Sequence, residues 1–126
     1  MSALNWFEIP VKDLQTAAAF YTKVTGQRLE VVRYNNVPHA IFAPTDASPA
    51  GVRGALIEDP ERTPGATGTV IYLAVADGVQ AALDRARGIG ATIVEPLTDL
   101  GEHGTCALIQ DRDGNLVGLH TPKAST

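Results

Sequence analysis

The chain has 126 residues and a mass of 13.3 kDa, and 44% of its residues are hydrophobic, which suits one hydrophobic core and little more. Ten Lys and Arg stand against fourteen Asp and Glu, a formal charge of −4, and the basic residues form no run. We therefore expect neither a nucleic-acid partner nor a membrane partner. The single cysteine, Cys106, cannot form a disulfide within the chain, and the N-terminus lacks a signal-peptide pattern, so we expect a cytoplasmic location.

The first half of the chain predicts a strand, a helix and three more strands. Residues 5–11 are apolar, aromatic or β-branched and predict the first strand. Asp13 is placed to cap a helix whose apolar positions recur at helical spacing until Gly26. Turn-forming residues, including Asn35-Asn36 and the loop over 44–51, then separate three predicted strands. These strands cover residues 28–34, 40–43 and 52–58.

The second half repeats this pattern. An apolar run over 69–76 predicts a strand, and Asp77 with Gln80 resembles a capping box at the start of a second helix. Gly88 and Gly90 predict the end of that helix. Three strands follow, over 92–95, 105–110 and 116–121, the last two joined by a predicted hairpin turn at 111–115.

Several identities recur between the two halves at one constant offset of 64, which indicates an internal duplication. They are Val11 and Val75, Asp13 and Asp77, Ala18 and Ala82, Gly26 and Gly90, and Gly54 and Gly118. The segment 59–68 is rich in Pro, Gly and Thr and is the predicted joint. We predict one domain over residues 1–126, with module one at about 3–62 and module two at about 67–122. Each module would shield a sheet face of the other, and the space between the sheets would form the cavity.

The sequence resembles the vicinal oxygen chelate superfamily, which includes glyoxalase I, bleomycin-resistance proteins and extradiol dioxygenases. The resemblance lies in the run WFEIPVKDL from Trp6 to Leu14, in Phe20-Tyr21 ahead of Gly26, and in the closing DRDGNLVGLH from Asp111 to His120. It implies an α+β fold of two tandem βαβββ modules, which form a cup-shaped, partly open barrel of mixed sheet with one helix per module. It also implies a homodimer, because related folds bury sheet edges and complete their cups across a twofold axis.

The same resemblance implies a divalent metal held by the first and last strands of each module. The matching positions are Trp6, Gly54, Val70 and Gly118. None of these residues offers a side-chain oxygen or imidazole nitrogen, whereas a divalent cation needs three or four such donors at about 2.0–2.5 Å. We therefore expect no metal at the usual positions, no required cofactor, and no glyoxalase I reaction, because that reaction depends on the metal.

Side chains two positions along from the vacant ligands are expected to face the same cavity, because strand side chains alternate. These side chains belong to Glu8, Leu56, Tyr72 and His120, and Trp6 would form a stacking surface beside them. We predict Glu8, His120 and Tyr72 as catalytic residues, and Trp6 and Leu56 as substrate-binding residues. Glu8 and His120 could transfer protons, hold a polar ligand, or bind a divalent metal weakly at a displaced position. Alternatively, they form a buried polar pair with only a structural role.

Two histidines, His39 and His103, are related by the same offset. The glycine-containing loop at 100–104 could move over a ligand, so Glu102 and His103 are candidate rim contacts. The alternative is an inherited symmetry in which both histidines are solvated, and the sequence does not fix their orientation.

Taken together, these observations favour a metal-independent small-molecule-binding protein with proton-transfer chemistry at Glu8 and His120. A second hypothesis is a metal-dependent lyase, isomerase or dioxygenase with displaced ligands. A third is a module that sequesters a metabolite or drug without chemistry.

Overall fold

The computed structural model describes residues 4, 6–43 and 52–123, which form two helices and two four-stranded sheets. The predicted loop over 44–51 and Asn5 of the first predicted strand lie outside the described residues. In chain order the elements are β1 (Trp6–Pro10), α1 (Leu14–Thr25), β2 (Leu29–Tyr34), β3 (Val37–Phe42), β4 (Arg53–Ile57), β5 (Tyr72–Ala74), α2 (Val79–Gly88), β6 (Thr92–Asp99), a 3₁₀ turn (Gly101–His103), β7 (Thr105–Gln110) and β8 (Leu116–Thr121).

The two sheets have the same strand order. Module one pairs its strands as β1-β4-β3-β2, and module two as β5-β8-β7-β6. The first and last strands of each module along the chain are neighbours in its sheet and run parallel, β1 with β4 and β5 with β8. The other pairs are antiparallel. Neither sheet closes on itself. The predicted α+β fold of two βαβββ modules in a partly open cup is confirmed.

The first helix begins and ends as its sequence predicts. The Asp13 carboxylate accepts a hydrogen bond from the Thr16 amide at 2.9 Å, and this bond lowers the pKa of Asp13. Gly26 ends the helix in the left-handed conformation, at a φ of 75° that favours glycine.

The predicted capping box at the second helix is wrong. Gly78 is the N-cap residue and makes no side-chain cap, while Gln80 donates to Asp84. Asp77 instead receives two hydrogen bonds from the Arg85 guanidinium, at 2.6 and 3.1 Å, and these bonds lower its pKa. The same guanidinium donates to two carbonyls at the end of α1, so Arg85 ties the two helices together. Because the Arg85 guanidinium occupies the Asp77 carboxylate, that carboxylate does not cap the helix as predicted.

Both helices pack on one face of the sheets, and residues of both modules share one hydrophobic cluster. The strand residues of this cluster alternate along the chain, as a sheet with one covered face requires. They include Ile9, Ala40, Phe42, Leu56, Leu73, Val75, Ala107, Ile109, Val117 and Leu119. The opposite side is here called the helix-free face. In module one it carries Trp6, Glu8, Tyr34, His39, Ala55 and Ile57, and in module two Tyr72, Ala74, Cys106, Gly118 and His120.

The offset of 64 holds for the first strands of the modules but not for the last. Ile9 and Leu73, which are related by the offset of 64, pair with Leu56 and Leu119 respectively. Equivalent residues of the last strands are therefore separated by one residue fewer than equivalent residues of the first strands. Because a shift of a single position reverses every side chain, this difference changes which residues share a face. Gly54 is beside Phe7 on the helix side, whereas Gly118 is beside Tyr72 on the helix-free face. The equivalence of Gly54 and Gly118 as ligand positions is therefore wrong.

Two strands are longer than predicted. The Asn35-Asn36 turn, with both residues at positive φ, starts β3 at Val37 and not at residue 40. The sixth strand extends to Asp99 through Pro96, with two register shifts that accommodate the proline at the sheet edge. No helix among the described residues is both long and apolar enough to cross a membrane.

A buried polar network joins the modules. The Tyr21 hydroxyl on α1 donates to the Asp111 carboxylate at 2.7 Å, and the Asn115 amide donates both to Asp111 at 2.9 Å and to the Pro10 carbonyl at 2.7 Å. The Asn115 side-chain oxygen accepts from the Gly65 amide in the predicted joint. The predicted turn at 111–115 is thus confirmed as the β7–β8 connection and also fastens module two to module one.

Burial, followed by the charge of Asp111, raises the pKa of the Tyr21 hydroxyl well above its ordinary value of 10.0. The folded state therefore gains stability from the protonated phenol below pH 10, and loses it at higher pH, where the unfolded tyrosine ionises first. At pH 7 we expect Tyr21→Phe to lower the free energy of unfolding by about 1–2 kcal/mol through the lost hydrogen bond. Above pH 10 the difference from wild type should shrink by up to about 1.4 kcal/mol per pH unit. Urea denaturation from pH 7 to 11 measures this, and a difference independent of pH would contradict it.

Candidate functional site

The helix-free face of module one carries an exposed tryptophan beside a carboxylate. Trp6 is 43% exposed, and its indole N–H donates to Glu8 Oε2 at 3.2 Å. Both side chains come from β1, two positions apart, so the alternation of the strand puts them on one face. This pair was predicted from the sequence, and the structure places the two side chains in contact.

A histidine joins this pair. His39 on β3 is 8% exposed, and its Nε2 is 3.8 Å from Glu8 Oε2. Its Nδ1 is 2.8 Å from the Val37 carbonyl, and the Tyr34 ring meets the imidazole edge-on at a centroid distance of 5.3 Å. The alternative in which both His39 and His103 are solvated does not hold for His39, which is buried. The sequence feature that indicates the position of His39 is the Asn35-Asn36 turn, because it starts β3 at Val37 and so includes His39 in the strand.

The helix-free face of module two carries a tyrosine and a histidine. Tyr72 is 49% exposed and covers Gly118, where any side chain would collide with the phenol ring. His120 Nε2 is 2.7 Å from the His103 carbonyl, and since a carbonyl only accepts, Nε2 carries a proton. Cys106 is opposite His120 in the β7–β8 ladder and is buried. Tyr72 and His120 therefore share one face, as predicted.

The predicted group of four residues is only partly assembled. Leu56 has no exposed surface and belongs to the core on the helix side, so its predicted position in the cavity is wrong. The reason is the register of β4, in which Ala55 and not Leu56 shares a face with Glu8. The contacts of Glu8 are with Trp6 and His39, whereas the imidazole of His120 bonds to the 3₁₀ turn.

Glu8 and Tyr72 line different clefts. Glu8 borders one of about 200 Å³ with Tyr34 and His39, and another of about 430 Å³ beside the joint. Tyr72 borders a third cleft of about 330 Å³ with Phe7, Arg53 and other residues between the modules.

The two candidate rim residues occupy the 3₁₀ turn. The side chains of Glu102 and His103 are 84% and 78% exposed. Glu102 borders an open cleft of about 400 Å³ with Asp99 and Lys123. The His103 carbonyl accepts a hydrogen bond from the ring of His120, and this bond connects the turn to β8. Contact of this turn with a ligand stays a prediction.

This fold, two βαβββ modules with open sheet faces that carry aromatic and ionisable side chains, places the chain in the class of paired-module α+β proteins. A family model, Glyoxalase/Bleomycin resistance protein/Dioxygenase superfamily, matches residues 3–119, so the chain belongs to that superfamily. No curated protein matches the chain.

Solved structures support this assignment across the whole chain. TnmS3, an antibiotic binding protein from Streptomyces sp. CB03234, is 25% identical with a TM-score of 0.69, and the match covers 98% of each chain. The fosfomycin resistance protein FosX from Listeria monocytogenes is 21% identical with a TM-score of 0.67, covering 98% of this chain and 95% of FosX. A glyoxylase/bleomycin resistance protein/dioxygenase domain from Frankia sp. EAN1pec is 17% identical with a TM-score of 0.70, covering 98% and 99%. The last two similarities concern the fold alone.

The side chains on the helix-free faces do not suit the divalent metal that the family resemblance implies. The β4 residues that share the face of Glu8 are Arg53, Ala55 and Ile57, and none of them is a metal ligand. Tyr72 fills the space over Gly118. Over residues 4, 6–43 and 52–123, no group of three His, Cys, Asp or Glu side chains is arranged to hold an ion. Pairs such as Glu8 with His39 fall short of the three donors that a tight site needs.

We expect protein purified without added chelator and without a nickel affinity tag to hold well under one divalent ion per chain, because the donor set is too small. Inductively coupled plasma mass spectrometry on dialysed protein measures this content. Stoichiometric metal that disappears in His120→Ala or Glu8→Gln would contradict the expectation and favour a site with displaced ligands.

Proposed function

We propose that the protein binds a small, partly planar organic molecule on its helix-free faces. The observation that carries the proposal is the pair of exposed aromatic side chains, Trp6 and Tyr72, each on a helix-free face that also carries ionisable groups. Large rings at 43% and 49% exposure gain free energy when a flat ligand stacks on them. The similarity to TnmS3, an antibiotic binding protein, supports the same function.

Proton transfer is the chemical step that this site could add. Since Nε2 of His120 donates to a carbonyl, Nδ1 of a neutral ring carries the lone pair and can accept a proton from a ligand. The Glu8 carboxylate is the second acceptor and is 35% exposed. Without such a step the protein would sequester its ligand, which is the non-catalytic alternative.

We also propose a cytoplasmic homodimer in which a second copy covers part of the open faces. Exposed apolar side chains lie on two of the four edge strands, with Val31 at 62% on β2 and both Val94 and Leu97 at 45% on β6. Unpaired edges and exposed apolar side chains favour association with a second chain.

Binding is tested through the intrinsic fluorescence of Trp6, the only tryptophan of the chain. We expect at least one compound from a panel of molecules with planar aromatic groups, which includes bleomycin and anthraquinone-2-sulfonate, to give a saturable change in fluorescence. Trp6→Ala and Tyr72→Ala should each weaken the binding about tenfold or more. Because Trp6→Ala removes the fluorescence signal, its binding is measured by calorimetry. Lys23→Ala is the control, because Lys23 is exposed on α1, on the other side of the sheet from the helix-free face.

Mass spectrometry of the recovered compound separates the two roles. Conversion that stops in Glu8→Gln with folding intact supports proton transfer, and an unchanged compound supports sequestration. Absence of any saturable binding across the panel, or binding unaffected by both aromatic substitutions, would overturn the proposed site.

For the homodimer, we expect light scattering after size exclusion to give twice the chain mass of 13.3 kDa. The physical reason is the burial of exposed apolar surface on the edge strands. A single-chain mass at concentrations up to about 0.1 mM, well above the micromolar range of ordinary specific association, would contradict it.

A further inference from the structure

Glu8 and His39 place two hydrogen-bond acceptors side by side on the helix-free face of module one. We infer that they form a subsite for the protonated amine of a ligand whose aromatic ring contacts either Trp6, the neighbour of Glu8, or Tyr34, the neighbour of His39. This inference rests on the proposed function and names the chemical class of the ligand. Glu8, His39 and the cleft that they border are called the amine subsite.

The tautomer of His39 follows from its backbone contact. Nδ1 is 2.8 Å from the Val37 carbonyl, and because a carbonyl has no hydrogen to give, Nδ1 must be the donor. In the neutral ring, Nε2 therefore carries a lone pair. Nε2 is 3.8 Å from Glu8 Oε2, which is also an acceptor.

The two acceptors do not satisfy each other. A separation of 3.8 Å exceeds hydrogen-bond range, and no hydrogen between two lone pairs is available to close the gap. Within the described residues Nε2 forms no hydrogen bond, and His39 borders the cleft. A nitrogen about 2.9 Å from both atoms would bridge them, which requires a donor with at least two hydrogens. A primary ammonium meets that requirement.

The charge of the cleft favours a cation. Its ionisable lining consists of Glu8 from β1, His39 from β3, Tyr34 from β2, and Asp59 and Arg62 from the segment after β4. With neutral His39 and Tyr34, two carboxylates stand against one guanidinium, so the net charge is −1. A ligand ammonium would bring this charge to zero, whereas a ligand carboxylate would add to it.

The aromatic part of the ligand follows from the neighbours of this subsite. Tyr34 is 54% exposed and contacts the His39 ring, and Trp6 is 43% exposed and holds Glu8 through its indole N–H. Aromatic faces near a cation add attraction of their own. A ring one or two methylene groups from the ammonium would lie beside one of these two side chains.

The probes are phenethylamine and phenylacetate, which pair a similar ring and length with opposite charges. Each is titrated into the full chain at pH 8, and Trp6 fluorescence excited at a wavelength that the probes do not absorb reports on the binding. We expect phenethylamine to bind at least about tenfold more tightly than phenylacetate, because a hydrogen bond to a charged group is lost in the second probe.

Three variants separate the contributions. Glu8→Gln keeps the size and an acceptor for the indole but removes the charge, and should abolish the preference for the amine. His39→Phe keeps the ring packing against Tyr34 but removes the acceptor, and should weaken phenethylamine several-fold. Glu30→Gln is the matched control, since Glu30 pairs with Arg28 on the same sheet, away from the cleft, and should change nothing. Circular dichroism checks that each variant is folded.

Equal affinity for both probes, with binding still lost in Trp6→Ala measured by calorimetry, would overturn the amine subsite and leave the proposed function standing. A preference for the amine that survives Glu8→Gln would also overturn it. Failure of the wider aromatic panel would instead remove the proposed function itself.

Discussion

The parallel pairing of the first and last strands in each module is the constraint on which the rest of the structure depends. This pairing decides, residue by residue, which side chains meet the helices and which remain on the helix-free face. In module one it directs Leu56 into the core and leaves Ala55 beside Glu8 on the helix-free face. In module two it puts Gly118 under the ring of Tyr72. The register of one parallel strand pair in each sheet therefore determines which side chains the helix-free face presents to a ligand.

The fold was predictable from the sequence, while the site was predictable only in part. Alternation, the Asp13 cap, the Gly26 stop and the repeat between the two halves are local or periodic signals, and the structure confirms the architecture they predict. The error at Leu56 came from assuming that one offset holds throughout, although the last strands match at a smaller offset than the first. The error at Asp77 came from Arg85, which contacts it across the helix and competes with local capping. Both depend on tertiary contacts that a linear pattern does not contain.

His39 shows why the pairing of functional groups needs coordinates. The sequence indicated Glu8 and His120 as partners because both lie near expected ligand positions, yet the imidazole beside Glu8 belongs to β3. Strands that are distant in sequence can be close in the sheet, and the order β1-β4-β3-β2 leaves only β4 between Glu8 and His39. The network of Tyr21, Asp111 and Asn115 is similar, since it joins parts of the chain that are far apart in sequence.

The central claim is that ligands bind on the helix-free faces and not elsewhere on the molecule. The most direct measurement is amide and side-chain chemical-shift mapping by NMR during titration with phenethylamine and with the tightest compound of the aromatic panel. Binding on these faces predicts shifts at Trp6, Glu8, His39 and Tyr72, with the outward surfaces of α1 and α2 unaffected. Shifts confined to those helix surfaces, with the indole N–H of Trp6 unchanged at saturation, would contradict it.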